Sequence, residues 1–229
     1  MLYDETAVKA NIRNREGKRV FFLSNKDQLT PSARDWLQAQ RIEILPASLA
    51  KITQFQQPNG NQIAEKPEHM THLRGNILVS KTNPIIHFRG AMDTLQAEIL
   101  LAQLSVAPPV QQQLEEILTL ARNILRWDVM EEPADISLLC GLTPEQLRSH
   151  SHCPQEYYGQ AHFMPSYTDG EGILRINRAR CAARNAELAA AHAFCTTGNV
   201  CTREDIIQAL NRMSSMLYIL MIELKAAQS

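Results

Sequence analysis

Apolar residues in the last two thirds of the chain recur at helical spacing. Phe88, Met92, Leu95, Ile99 and Ala102 fall on one stripe, three or four residues apart. They predict a helix over about 88–105 that stops before Pro108-Pro109. A second helix is predicted over about 110–131, ended by Pro133. Thr143-Pro-Glu-Gln reads as a capping box with proline in the first turn, so a short helix starts there. A loop rich in His, Tyr and Pro follows, over about 150–168. A long helix is then predicted from a second capping box, Thr168-Asp-Gly-Glu171, to near Gly198. The last helix starts at Thr202-Arg-Glu-Asp205 and carries the stripe Ile206, Leu210, Met213, Leu217, Leu220, Leu224 almost to the end of the chain. Four long helices with short links predict a mainly α fold, an antiparallel helical bundle of four to five helices.

Residues 1–70 follow a different pattern. Arg19-Val-Phe-Phe-Leu23 and Arg41-Ile-Glu-Ile-Leu45 are short strand candidates. Between them Thr30-Pro-Ser-Ala-Arg-Asp-Trp-Leu37 starts a helix, with Thr30 as N-cap and Pro31 at the first helical position. Residues 51–70, with their Gln, Asn, Pro and Gly, read as a loop or linker. The chain is therefore divided into a small α+β N-terminal appendage and linker, 1–70, and a helical-bundle domain, 71–229. It has no internal repeat and no low-complexity tract.

Composition narrows the function. With 229 residues, 45% hydrophobic and 21% charged, the chain can bury a full core as a soluble protein. A net charge of −1 favours neither nucleic acid nor an anionic membrane as partner. The longest apolar run, Met216 to Ile222, is far too short to span a bilayer. Charges break up the N-terminal stretch, so it is no signal peptide. Five cysteines without a CxxC read as reduced thiols of a cytoplasmic protein, not as a disulfide frame or a zinc site. His69 and His72 are solvated rather than metal ligands, and no metal site is expected. There is no GxSxG, no HExxH, no Glu-x-x-His on the long helices and no nucleophile–base pair.

Charges stand out where a bundle is costly to charge. On the 171–197 helix, Glu171, Arg175, Arg178 and Asn185 form a solvated side, while Arg180, Arg184 and Glu187 project into the middle of the apolar one. A buried guanidinium needs a partner. Two readings stay open: a salt-bridge network or subunit interface, and an anion-binding cleft. Asp93 lies opposite the Phe88 stripe with Ala97, Leu100 and Leu104, a carboxylate in a core-like setting for which Arg180 or Arg184 is the natural cation. Asn211, Ser215 and Tyr218 flank the stripe of the last helix. Ser80, Lys81 and Thr82, in Val79-Ser-Lys-Thr-Asn-Pro84, suit phosphate contacts but lack the glycines of a Walker A loop.

These residues together resemble the ATP:cob(I)alamin adenosyltransferases. Ile207-Gln-Ala-Leu-Asn-Arg-Met-Ser-Ser215 is similar to that family's terminal-helix signature, and Arg180-x-x-x-Arg184-x-x-Glu187 to its Arg/Arg/Glu helix motif. Thr71-His-Leu, Val79–Pro84, Phe88-Arg89, Asp93, Asn123-Ile-Leu-Arg126, Asp128, Glu132-Pro133 and the His152, Pro154, Tyr157, His162, Pro165 series resemble the ethanolamine-utilisation branch. The resemblance runs from about Thr71 to Ile222, with a further patch at Leu29-Thr-Pro-Ser-Ala-Arg34. It implies a helical bundle, assembled as a homotrimer with active sites between subunits. It also implies transfer of the 5′-deoxyadenosyl group of ATP to cob(I)alamin, with triphosphate leaving and Mg²⁺ on the triphosphate.

By that resemblance Arg180, Arg184, Glu187 and Asp93 are the catalytic set. Ser80, Lys81, Thr82, Arg180, Glu187 and Asn211 would hold ATP, with Asp93 pairing Arg180. Tyr157, Tyr158 and Phe163, together with Phe88, would meet cobalamin and cover the lower corrin face. A reductase and a B12-dependent acceptor enzyme are the implied partners, and association with a bacterial microcompartment fits the branch. Two elements depart from the pattern. The branch's Cys-Cys-x-x-Cys cluster is absent from Gln56 to His69, and the glycine-rich N-terminal ATP loop of the other large branch is missing. The rival reading is a non-catalytic corrinoid carrier or assembly protein.

Overall fold

The computed structural model describes residues 2–15, 18–47, 55–196, 198 and 200–228. The chain separates into two compact units, Met1–Leu78 and Val79–Ser229. Residues 71–78, read from sequence with the bundle, fold with the first unit.

The first unit is α+β. Its order is β1 (Leu2–Tyr3), α1 (Glu5–Ala10), β2 (Arg13–Arg15), β3 (Lys18–Leu23), β4 (Gln28–Leu29), α2 (Pro31–Ala39), β5 (Glu43–Pro46), β6 (Phe55–Gln56), β7 (Gln62–Ile63), β8 (Met70–Arg74) and β9 (Ile77–Ser80), the last running across the boundary. β3 pairs antiparallel with β2 and parallel with β5. Thr30 caps α2 by accepting from the Ala33 N–H at 3.3 Å, with Pro31 in the first turn, as the sequence predicts. Val8, Phe21, Ala33, Leu37 and Ile42 form the core beneath. Residues 51–54 of the expected linker lie outside the described residues. The remainder carries strands, because its Pro58–Gly60 turn joins β6 to an antiparallel β7.

The second unit is helical: α3 (Pro84–Gln103), α4 (Pro108–Met130), α5 (Pro144–His152), α6 (Pro154–Tyr158), a 3₁₀ turn (Tyr167–Asp169), α7 (Glu171–Phe194) and α8 (Glu204–Ala226). α3 packs on α4 and α7, and α7 packs on α8. The predicted stripes are buried: Phe88, Met92, Leu95 and Ile99 of α3 meet Leu210, Met213, Leu217 and Leu220 of α8 in one core. α7 contributes Ala179, Ala183, Ala186 and Ala190, whose small side chains let its neighbours come close. Gly172 is the tightest case. A Cβ there would sit 2.9 Å from the Ser105 carbonyl oxygen and 3.1 Å from Val106.

Several local expectations are corrected. The capping box lies at Ser166 and Asp169 of the 3₁₀ turn, not at Thr168 and Glu171, and α7 has Gly170 at its N-cap, without a side-chain cap. Arg203 precedes α8, while the Thr202 hydroxyl donates back to the Phe194 carbonyl at 3.1 Å. α6 interrupts the loop predicted over 150–168. Cys195 and Cys201 are joined as a disulfide across the α7–α8 turn, so not all five cysteines are reduced; Cys140, Cys153 and Cys181 are free. The turn brings positions 195 and 201 opposite each other in an antiparallel bridge, which sequence spacing alone does not reveal.

Candidate functional site

Of the three charges singled out on α7, Arg180 lines a groove beside α8 and Glu187 reaches α8 through Asn211. Arg180 is half-buried, and its Nε and Nη2 both donate to Asn177 Oδ1, at 3.1 and 3.0 Å. The guanidinium lies 6.0 Å from the centre of the Tyr218 ring, within cation–π reach. Arg184, one turn on, is exposed. Glu187 accepts from Asn211 Nδ2 at 3.2 Å, and Asn211 Oδ1 accepts from Arg212 Nη1 at 2.7 Å. Asn211 thus links an anion on α7 to a cation on its own helix.

The groove differs from the sequence expectation in one respect. Arg180, Arg184 and Glu187 sit on the rim of the apolar side of α7, not at its centre. The core needs only a narrow alanine-rich strip of this helix, so the charges stay solvated. Asp93 is likewise exposed, and Arg180 is held by Asn177 and Tyr218 rather than by Asp93 within the chain. The stripe Asp93, Ala97, Leu100, Leu104 faces outward, whereas buried carboxylates occur elsewhere. Asp128 receives Arg89 at 2.8 and 2.7 Å, and Glu98 receives Arg178 at 2.8 Å.

A cavity of about 520 Å³ opens beside Arg180. Asn177, Arg180, Tyr218 and Met221 form one wall; His162, Phe163, Met164 and Pro165 form the other. Burial pushes the Tyr218 phenol up, against the opposing pull of the Phe163 backbone N–H and of Arg180. Phe163 therefore shares a cavity with Arg180. Tyr157 and Tyr158 do not line it. Tyr157 stacks on His150 with ring centres 3.8 Å apart, and the Tyr158 hydroxyl bonds His150 Nδ1 at 2.8 Å. Burial, then the Glu223 charge, then Tyr157 push the Tyr158 phenol up to about 12.

Phe88 is corrected outright as a corrin contact. It is fully buried, edge-on to Phe194 at 5.4 Å, with no surface left to meet a ligand. Ser80, Lys81 and Thr82 are exposed in the turn before α3 and do not line the Arg180 cavity. Ser80 Oγ and Thr82 Oγ1 lie 2.8 Å apart, and the Thr82 N–H donates to Ser80 Oγ at 3.2 Å. His72 Nδ1 bonds the Gly75 carbonyl at 3.0 Å. Among the described residues no group of three or more His, Cys, Asp or Glu is placed to hold a metal ion. No described helix is long and apolar enough to cross a membrane.

Sequence reasoning did not single out Asn177 or Arg212. Asn177 stands three residues before Arg180, one helical turn, and Arg212 follows Asn211 directly, so both were within reach of a spacing argument.

A family model of cobalamin adenosyltransferases matches residues 61–224. The chain belongs to the cobalamin adenosyltransferase family. It is 31% identical over 241 aligned residues to the corrinoid adenosyltransferase EutT of Salmonella typhimurium, covering 95% of this chain and 90% of that protein. Identity and coverage are the same for the corrinoid adenosyltransferase EutT of Escherichia coli K12. The family match includes every groove residue from Asn177 to Tyr218.

Proposed function

We propose that this corrinoid adenosyltransferase moves the 5′-deoxyadenosyl group of ATP to cob(I)alamin at the α7–α8 groove. Co(I) supplies the electron pair that forms the bond to C5′, the C5′–O bond breaks, and its electrons leave with triphosphate. The chain then needs no nucleophile of its own. Its work is to orient two substrates and to stabilise a polyanionic leaving group.

The observation that carries this reading is the composition of the 520 Å³ cavity. A guanidinium, Arg180, stands in the same wall system as the apolar surfaces of Phe163, Met164, Pro165 and Met221. One enclosure thus offers a cationic pole for phosphate and an apolar lining for a corrin edge. Arg212 adds positive charge beside Asn211, on its other side from the Glu187 carboxylate, and Arg184 stands one turn beyond Arg180. ATP would enter as its Mg²⁺ complex, the metal riding on phosphate oxygens. Asn211 would keep Glu187 and Arg212 apart and aligned for the nucleotide. Phe163, which shares the Arg180 cavity as Tyr157 and Tyr158 do not, would cover the lower corrin face. Lys81, with Ser80 and Thr82, would meet phosphate from the turn before α3, a role that rests on the family motif.

Assembly as a homotrimer belongs to the same proposal, and the exposed stripe of α3 supports it. A reductase would deliver Co(I), and a B12-dependent enzyme would take the product. The test is anaerobic: protein, ATP, Mg²⁺ and chemically reduced cobalamin, following loss of the Co(I) spectrum. Protein-dependent formation of adenosylcobalamin and triphosphate in equal amounts is expected. Tight cobalamin binding with no turnover would instead identify a corrinoid carrier.

A further inference from the structure

The segment 159–166, between α6 and the 3₁₀ turn, forms the outer wall of the Arg180 cavity without regular secondary structure. Its own packing is thin: Met164 is 90% exposed, and only Gln160, Phe163 and Pro165 turn partly inward. What ties it across the fold is His162. Its Nε2 lies 3.0 Å from the His152 carbonyl oxygen of α5, and its Nδ1 lies 2.8 Å from the Tyr218 hydroxyl of α8. A carbonyl only accepts, so Nε2 carries the proton. In the neutral ring Nδ1 then accepts from the Tyr218 O–H. The two rings also stack, with centres 5.7 Å apart and planes within 17°. The same Tyr218 oxygen faces the Phe163 backbone N–H. The Tyr218 ring in turn carries the Arg180 guanidinium.

We propose that His162 and Tyr218 are positioning residues, a latch that fixes the Phe163–Met164 wall at a set distance from Arg180. The inference rests on the site reading above and deepens it. One hydrogen-bonded pair joins the part of the cavity that would meet the corrin to the part that would meet phosphate. Tyr218 does this with its two ends, its hydroxyl holding the wall and its ring holding the cation. Removing the hydroxyl releases the wall and leaves the cation in place, so the two substrates respond differently.

Tyr218→Phe keeps the ring under Arg180 and deletes the latch. The change removes the hydroxyl's bonds to both His162 and the Phe163 N–H, and about a five- to tenfold rise in KM for cob(I)alamin is expected. KM for ATP should stay within about twofold, with the melting temperature lowered by only about 2–6 °C. His162→Ala should give the same pattern. The double variant should lose less than the sum of the two single effects, because both changes break the shared His162–Tyr218 link. His162→Asn, which returns an acceptor near the Nδ1 position, should recover most of the loss. Hydrogen–deuterium exchange of residues 159–166 should quicken in Tyr218→Phe and His162→Ala, with or without substrates. Equal effects on both KM values, additive single effects, or unchanged exchange would each overturn the latch. A wild-type protein that makes no adenosylcobalamin would sink the site reading instead, and the exchange experiment would still decide whether the latch exists.

Discussion

Asn211 touches two opposite charges, and that decides what its loss does. Its amide donates to Glu187 and accepts from Arg212, so an apolar replacement frees both partners at the groove edge. Glu187 and Arg212 are only half-buried, and water can solvate them in part. Asn211→Ala should therefore lower kcat or raise KM for ATP by more than it lowers the melting temperature. Kinetics and melting on one preparation check this, and a lower melting temperature with unchanged kinetics would return Asn211 to a packing role. Arg180→Ala belongs to the same class. In the proposed role, a cation meeting developing charge, its loss should cost about 10²–10³ in kcat, while its half-exposed position keeps the stability cost small. Arg89→Ala is the contrast. It strips two charge-assisted contacts from the fully buried Asp128, which costs about 3–5 kcal/mol when one partner of a buried pair is removed. Denaturant unfolding of the two arginine variants side by side should separate them, with Arg89→Ala far the less stable. Sequence periodicity located Arg180, Arg184, Glu187 and Asn211 but assigned the buried carboxylate to Asp93. A helical projection gives the direction of a side chain and not the number of neighbours that cover it. Asp128 of α4 is buried where α3 packs against it and Glu98 of α3 where α7 does, each beside an arginine of the facing helix.

The last turns of α8 carry two opposite responses to pH. Asp169 accepts from Lys225 Nζ at 2.7 Å and from the Ser166 N–H at 2.6 Å, and the two hold its carboxyl below the ordinary range, the Lys225 bond first. A depressed carboxyl stabilises the fold above the unfolded pKa, and that contribution is lost as pH falls through the folded one. Acid should therefore loosen the 3₁₀ turn from α8 below about pH 4. Asp205 adds to the same loss. Burial raises it, but Arg203 and the backbone N–H groups of Ala134 and Ile206 outweigh burial and leave it lowered. Glu223 runs the other way, since burial alone pushes it up. A raised carboxyl destabilises the fold above the unfolded pKa, so Glu223→Gln should raise the melting temperature at pH 7 and leave it nearly unchanged at pH 4. Melts of the wild type and this variant across pH 3–8 test both signs. The α7–α8 turn gives a separate prediction. Reducing Cys195–Cys201, six residues apart, should cost about 2 kcal/mol by the loop-entropy relation, and the Cys195→Ser/Cys201→Ser variant should melt the same with and without reductant. Helix positions were legible because Phe88–Ala102 and Ile206–Leu224 repeat over many turns. Helix starts were less so. Thr143 caps by its own side chain and was legible, whereas α7 follows Gly170 beyond a turn whose capping pair, Ser166 and Asp169, lies two residues earlier than the sequence suggested.

The helical unit leaves one apolar stripe uncovered. Asp93, Ala97, Leu100 and Leu104 follow one another along α3 and are all exposed, Leu104 at 81%, and Leu188 of the adjoining α7 is exposed at 70%. Leucines at helical spacing on an outer face are what a closed ring of identical chains would bury. If a neighbouring copy covers the stripe, Asp93 gains a cation, and the Arg180 groove of that copy is the place for it. The trimer proposed above then makes a sharp prediction about mixtures. Asp93→Asn and Arg180→Ala chains should each be nearly inactive alone, because every interface in either assembly lacks one partner. Mixed in equal amounts, dissociated and reassembled, they should recover about a quarter of the wild-type rate, because a random neighbour supplies both intact partners at one interface in four. Light scattering on the same samples should give a three-chain mass, and Leu100→Asp with Leu104→Asp should reduce it to that of one chain. A single-chain mass for the wild type would remove the trimer. A trimer without recovery on mixing would place Asp93 away from the neighbour's guanidinium, leaving the stripe as an interface and the groove as a site built by one chain.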